Sequence, residues 1–238
     1  LIFMEYDCIL LRYGEVGLKS KKTRPFFEKK YIESIKECLE RNNIADYEVK
    51  NYGGRFVVFC NDTEKAVSKL KNVPGIQSLS EAKQILFEDK KDLLKKAKKL
   101  CEKEVKDKIF AVRIKREGKH SFKSTEIARE LGSAIYNKSK GVDLTNPEVE
   151  IFVEIRRNED FIFIDSIMAI GGLPAGTSDK LLCLFSGVID SPVAIHEVLK
   201  RGCKTDFLFI DMIGEKNFND VSKIYNNLIS DYCFGFKP

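Results

Sequence analysis

Between Tyr6 and Ala82 the apolar residues change period in an order that few folds accept. Tyr6–Tyr13 is rich in Ile, Leu and Tyr, which suits a strand, and Gly14 and Gly17 break it. From about Pro25 to Arg41, Phe27, Tyr31, Ile35 and Leu39 recur at every fourth position and predict a helix. Thr23 stands where an N-cap belongs and Pro25 falls in the first turn. Gly53-Gly54 separates two short strand-like runs, Tyr47–Tyr52 and Arg55–Cys60, which is hairpin spacing. A second helix, about Thr63 to Lys71, puts Ala66, Val67 and Leu70 on one side. Pro74-Gly75 ends it before an extended stretch, Ile76–Ala82. The order βαββαβ is the split ferredoxin-like unit.

A second module begins near Asp89. Residues 89–106 predict a lysine-rich helix with pairs such as Asp92–Lys96 at i,i+4. Ile109–Lys115 alternates as a strand, Ser124 or Thr125 caps a helix reaching roughly Lys138, and Val149–Arg156 and Phe161–Met168 predict two strands joined by a polar turn at Arg157–Asp160. Gly171–Thr177, GGLPAGT, is the clearest linker. After it, Leu181–Phe185 is wholly apolar, the pattern of a parallel strand buried on both faces. A polar loop leads to a helix through Arg201, Gly202 ends it, an apolar strand Phe207–Ile210 follows, and a last helix covers about Asn219–Ser230. The fold class is therefore α/β with α+β modules at the N-terminal side. The expected boundaries are 1–80, 81–170, a linker at 171–178, and a third module, 179–238.

Composition narrows the class further. With 43% hydrophobic and 32% charged residues, the chain is globular rather than disordered. No run approaches the roughly 18 apolar residues of a membrane helix, and the first residues lack the basic region of a signal peptide. Seven cysteines, an odd number with no C-x-x-C spacing, argue against a disulfide framework or structural zinc and for a reducing, cytoplasmic compartment. The net charge of +5 arises before residue 177, and the remainder is slightly acidic.

Two segments carry chemistry. Ser186-Gly187-Val188-Ile189-Asp190-Ser191 lies between an apolar strand and a helix N-terminus, where unpaired N–H groups and the helix dipole attract an anion. Ser186, Gly187 and Ser191 offer donors to a phosphate or pyrophosphate. Asp190 fits as an orienter of the loop or as partner for a metal riding on the phosphates. An ordinary capped helix, with Asp190 or Ser191 as N-cap, is the alternative. In the second segment, Arg113, Lys115, Arg116, Lys119, His120 and Lys123 cluster between Phe110 and Phe122, with Glu117 opposing. That cluster fits salt-sensitive contact with RNA phosphates, or a solvated basic edge. No set of His, Cys and carboxylates stands at metal-ligand spacing.

On these residues the chain resembles the tRNA 4-thiouridine synthetases (tRNA uracil 4-sulfurtransferases). LLCLFSGVIDSPVA at 181–194 is similar to their PP-loop, the pyrophosphate loop of an ATP-pyrophosphatase domain, and GGLPAGTS to the linker before it. FAVRIKREGKHSF, STEIARELGSAI and VDLTNPEVEIFVEIR resemble their THUMP domain, and LLRYGEVGLKSKKTRPFFE their ferredoxin-like domain. The resemblance implies tRNA binding by the first two modules and adenylation of the uracil oxygen of uridine 8 with ATP, accompanied by Mg2+. Sulfur from a cysteine desulfurase persulfide then replaces the activated oxygen. It further implies sulfur donation for thiamine thiazole in some members, and it allows a homodimer. By position it assigns Ser186, Gly187, Asp190 and Ser191 to the pyrophosphate loop. Leu184, Phe185, Phe209 and Ile210 fall where the family's backbone holds the nucleotide, and Arg113, Lys115, Arg116 and Lys119 on the RNA-facing module.

Three departures set further expectations. Val188 replaces a second loop glycine, and a β-branched residue is poorly suited to positive φ or close backbone approach, so nucleotide turnover is expected to suffer. Little sequence follows Ile210, so the third module is expected to be partial. No C-x-x-C pair is present to carry a persulfide. Leu1 also precedes Met4, unlike a natural start. The alternative function is a truncated or catalytically impaired tRNA-binding remnant.

Overall fold

A computed structural model describes residues 6–118, 120–156, 159–211 and 215–236. The chain divides into two units, Leu11–Leu79 with Ile167–Pro238 and Leu1–Leu10 with Ser80–Ser166.

The ferredoxin-like elements follow in the expected order, β1 (Cys8–Tyr13), α1 (Arg24–Arg41), β2 (Glu48–Asn51), β3 (Phe56–Phe59), α2 (Thr63–Leu70) and β4 (Ile76–Leu86), all in the larger unit except the start of β1 and the end of β4. A 3-10 turn, Glu15–Leu18, fills the gap between β1 and α1. The strands run β2-β3-β1-β4, so the two central strands, β1 and β3, are not chain neighbours. Residues Gly53 and Gly54 take φ of 68° and 97°, as the two-residue turn requires, and the Asn51 side chain accepts from both N–H groups. The four-residue spacing on α1 proves to be its buried face: Phe27, Tyr31, Ile35 and Leu39 all lie inside. Tyr31 meets Phe56 at 4.9 Å between ring centroids and Tyr13 edge-on at 5.9 Å. Each such fully buried side chain contributes roughly 1.5–3 kcal/mol.

The smaller unit pairs the end of β4 with β8 (Glu159–Phe163), and its strands run β4-β8-β7-β5-β6. Here β5 is Ile109–Glu117, β6 Gly141–Val142 and β7 Val149–Arg156. The β5–β7 pair is parallel and the β7–β8 pair antiparallel. Helices α3 (Lys90–Glu104) and α4 (Ser124–Ile135) bury Leu93, Ala97 and Cys101, and Ile127, Leu131 and Ile135, in one core with Ile151, Val153 and Ile155. The expected strand Phe161–Met168 is two pieces. After β8, a short β9 (Ile167–Met168) pairs with Ser78–Leu79 of the larger unit's part of β4. The turn at 157–158 lies outside the described residues.

The last elements are β10 (Lys180–Leu184), α5 (Asp190–Lys200), β11 (Lys204–Leu208) and α6 (Glu215–Tyr232). β10 and β11 are parallel, as expected, in register from Lys180↔Lys204 to Leu184↔Leu208. The expectation that β10 is buried on both faces is wrong. Cys183, Phe185, Phe207 and Phe209 pack with Ile195 and Leu199 of α5 and with Val221 and Leu228 of α6. Both helices thus serve one face, and on the other Leu182 is 66% and Leu184 70% exposed.

Residues 171–178 are hydrogen-bonded along their length. Leu173 N–H donates to Lys200 O (2.8 Å), and Gly176 N–H to Gly202 O (2.8 Å), so the segment satisfies carbonyls at the C-terminus of α5. At the other end Gly75 N–H donates to Gly171 O and Gly171 N–H to Ile76 O, both 2.8 Å.

Candidate nucleotide loop and RNA-facing surface

The loop after β10 is built by its own serines. Ser191 Oγ accepts from Ser186 N–H (2.9 Å), donates to Ser186 O (3.0 Å) and lies 3.1 Å from Ser186 Oγ. One hydroxyl in the first turn of α5 therefore closes the loop back onto the end of the strand. Ile189, the N-cap, makes no side-chain cap. Pro192 has no N–H to satisfy, and Val193 N–H reaches Ile189 O (3.3 Å). The positive end of the α5 dipole therefore stands beside the exposed Ser186, Gly187 and Asp190. The arrangement can receive an anion. The lone Asp190 carboxylate beside it fits a cation carried by that anion rather than the anion itself.

The other residues expected at this site gather at the ends of the two parallel strands. Phe185 is buried, edge-on to Phe207 (5.8 Å) and Tyr225 (6.3 Å), and its N–H is used by Leu208 O (2.8 Å). Leu184 and Ile210 are exposed, at 70% and 63%, and Phe209 packs toward Phe218. This is the carboxyl end of a parallel sheet, where α/β folds place ligands. Val188 is not among the residues with positive φ, so the backbone-strain argument against it falls away. Its exposed side chain (61%) stands on the loop, and only the close-approach argument is left.

The basic segment divides on inspection. Arg113 is engaged by Glu150 Oε1 (Nε 2.9 Å) and Leu144 O (Nη2 2.6 Å). Arg116 donates to the carbonyls of His120 and Phe122, holding the loop before α4. Both are committed to protein partners. Lys115 is exposed, and Lys119 lies outside the described residues. Beside Arg113 opens a cavity of about 570 Å³ that sequence reasoning missed. Its helical wall is Thr125, Ala128, Arg129, Gly132, Ser133 and Tyr136, one face of α4 extended by a turn. A Cβ at Gly132 would meet nothing within 4 Å, so small residues create the space. Tyr136 is 53% exposed, and the Arg129 side chain is exposed on the same face. The signal was small residues at helical spacing opposite the Ile127, Leu131 and Ile135 face.

Burial pushes Cys38, Cys101 and Cys233 up to about 12, and burial followed by the neighbouring Cys203 raises Cys183. Among the described residues no cluster of His, Cys, Asp and Glu fits a metal ion, and no helix is long and apolar enough to cross a membrane.

Comparison with known proteins joins these parts. The ThiI ferredoxin-like domain family matches residues 8–80, the THUMP domain 87–165, and the thiamine biosynthesis protein (ThiI) family 176–236. A tRNA sulfurtransferase of Desulfurococcus amylolyticus is 38% identical over 224 residues, covering 92% of this chain and 46% of its own. A probable tRNA sulfurtransferase of Methanobrevibacter smithii is 38% identical over 237 residues, covering 95% of this chain and 60% of its own. The chain thus spans about half the length of the curated relatives it matches. Among solved structures, a protein of Pyrococcus horikoshii Ot3 superposes with a TM-score of 0.85 at 30% identity, over 97% of this chain and 76% of that one. A 4-thiouridine synthetase, solved as an RNA complex with bound ATP, superposes with a TM-score of 0.79 at 31% identity, over 95% of this chain and 59% of that one. With three consecutive domain matches in order and relatives of this identity, the chain belongs to the ThiI family of tRNA sulfurtransferases.

Proposed function

We propose that this chain is the RNA-binding and nucleotide-binding part of an ATP-dependent tRNA sulfurtransferase that makes 4-thiouridine at uridine 8. The observation that carries the reading is the Ser186–Ser191 loop, closed by its own hydroxyls at a helix N-terminus and at the carboxyl end of two parallel strands. The ATP-bound, RNA-bound relative supports it. In this reading the loop amides and the Ser186 and Ser191 hydroxyls hold the departing pyrophosphate as the uracil oxygen attacks the α-phosphate. Asp190 would hold Mg2+ on the phosphates. Leu184, Phe185, Phe209 and Ile210 border the adenosine. A cysteine desulfurase supplies the sulfur, and burial holds Cys38, Cys101, Cys183 and Cys233 toward the thiol form. Action in the cytoplasm, as a homodimer, and a second role in thiamine thiazole synthesis belong to the same proposal.

Equilibrium titration with ATP tests the loop. Binding is expected, and Ser191→Ala should weaken it at least tenfold, because the hydroxyl both shapes the loop and faces the anion. Val188→Gly should bind at least as tightly as the parent chain, and turn over faster if the isopropyl group obstructs the phosphates. Unchanged affinity in Ser191→Ala would remove the loop from the site.

The RNA face is tested by tRNA binding across salt concentrations. Affinity should fall steeply with salt. Tyr136→Ala should weaken binding by removing a stacking surface, worth about 1–3 kcal/mol per base. Arg129→Ala should reduce the salt slope by about one. Identical affinities and slopes in both variants would place the RNA elsewhere.

A further inference from the structure

The C-terminal segment 229–236 is held by a receptor on α1. Arg41 donates through Nη1 to Cys233 O and through Nη2 to Ile229 O (3.0 Å), so it caps the last carbonyls of α6 from another element. Its guanidinium stands 5.1 Å from the Phe234 ring centroid. Glu37, one turn earlier, accepts from Gly235 N–H (2.7 Å) and pairs with Arg41 at 3.4 Å. Ser34 Oγ lies 3.4 Å from Phe234 O and donates to Lys30 O at 3.1 Å. Gly235 has φ of 92°, and a Cβ there would come within 2.5 Å of Ser34 Oγ, so the fit is close. Ser34, Glu37 and Arg41 form one stripe of the helix, beside the face that fills the ferredoxin-like core.

The held segment is also part of the nucleotide module's core. Cys233 and Phe236 belong to the cluster that contains Phe185, the residue before Ser186. Mechanical continuity therefore runs from α1, through the tail, to the strand end that carries the loop. At the other end of α1, 18 residues or about 27 Å away, Lys21 and Lys22 are exposed in the turn before the helix and Lys29 in its second turn.

We infer that α1 is a coupling rod, and that Arg41 is a positioning residue latching the nucleotide module to the ferredoxin-like module so that RNA engaged at the Lys21–Lys22 end meets the Ser186–Ser191 loop at a set offset. The inference rests on the tRNA reading above and adds a device to it. Arg41 touches neither nucleotide nor RNA. It acts through the backbone of residues 229–236.

Hydrogen exchange on the whole chain tests this, comparing the parent with Arg41→Ala and with Lys36→Ala, an exposed position on the same helix. Without ligand, amides 233–236 should exchange at least tenfold faster in Arg41→Ala and at the parent rate in Lys36→Ala. With tRNA added, the parent should gain protection at residues 19–24 and at 186–191. Arg41→Ala should gain it at 19–24 only. Unchanged exchange at 233–236 in ligand-free Arg41→Ala overturns the latch. Protection of 186–191 that persists in Arg41→Ala overturns the coupling. Failure of tRNA to protect any residue of the parent overturns the RNA reading and with it the coupling, while the ligand-free comparison still decides the latch.

Discussion

Gly172→Ala is expected to lower the melting temperature more than any surface substitution in this chain. Gly172 has φ of 81°, and a Cβ there would lie 2.0 Å from the Lys200 carbonyl oxygen. The obstacle is backbone at the C-terminus of α5, so no side-chain rotation relieves it. The left-handed conformation alone costs an L-residue roughly 1–2 kcal/mol. Moving the segment away would also break the Leu173 N–H to Lys200 O hydrogen bond next to it. A total loss of about 3 kcal/mol or more corresponds to roughly 6–12 °C at this chain length. Gly202→Ala should behave alike, since φ is 80° and Thr177 Oγ1 and Pro174 O would lie at 2.3 and 2.8 Å. Gly132→Ala is the control. It sits in α4 with nothing within 4 Å of its Cβ and should raise stability by up to about 1 kcal/mol. Thermal unfolding followed by circular dichroism measures all three. A Gly172→Ala chain melting within a degree of the parent would show that residues 171–178 are not held as described.

The second large effect is a pH dependence centred on Asp160. Its carboxyl is fully buried on β8, opposite Ile155 and Ile85, and among the described residues neither oxygen has a hydrogen-bond partner. Burial pushes its pKa up to about 8. In the unfolded chain an aspartate titrates near 3.9. Between about pH 4 and pH 8 the folded chain therefore keeps a proton that the unfolded chain has released, and stability falls as pH rises. One proton gives a slope of at most about 1.4 kcal/mol per pH unit. Below that window both states are protonated, and above it both are ionised, so this group adds no further slope. Asp160→Asn keeps the shape without the ionisation. It should flatten the denaturation profile between pH 5 and 8 and raise stability at pH 8. Parallel profiles for the two chains would mean that Asp160 is solvated.

Much of the architecture was legible because it rests on local pattern. The α1 face, the Gly53-Gly54 turn and the order of the first six elements follow from spacing over fewer than twenty residues each. The loop after β10 was equally legible, since a serine in the first turn of a helix can reach the preceding strand end without help from elsewhere. Where pairing is long-range, the reading faltered. β4 runs on to Leu86 because β8, more than seventy residues later, offers it a partner. Arg113 and Arg116 read as RNA contacts in a basic run, yet Glu150, Leu144, His120 and Phe122 take up their guanidinium groups. Arg129, isolated in the sequence, is the arginine on the open wall of the cavity.

β10 shows the same division in one strand. Its apolar run predicted the strand, and its place before a loop and helix predicted the parallel partner, since a βαβ unit leaves little choice of connection. How many of its faces are covered depends on which helices pack there, and α5 and α6 both chose the side of Phe185 and Phe207. The latch on α1 has no local signature either: Ser34, Glu37 and Arg41 look like a solvated stripe until residues 229–236 arrive from almost two hundred positions away. Residue spacing decides what each segment becomes, because hydrogen bonding and burial within a segment are settled over a turn or a strand. Which polar side chains are free for a ligand is a property of the packed chain, because only there do distant carbonyls and carboxylates compete for the same donors.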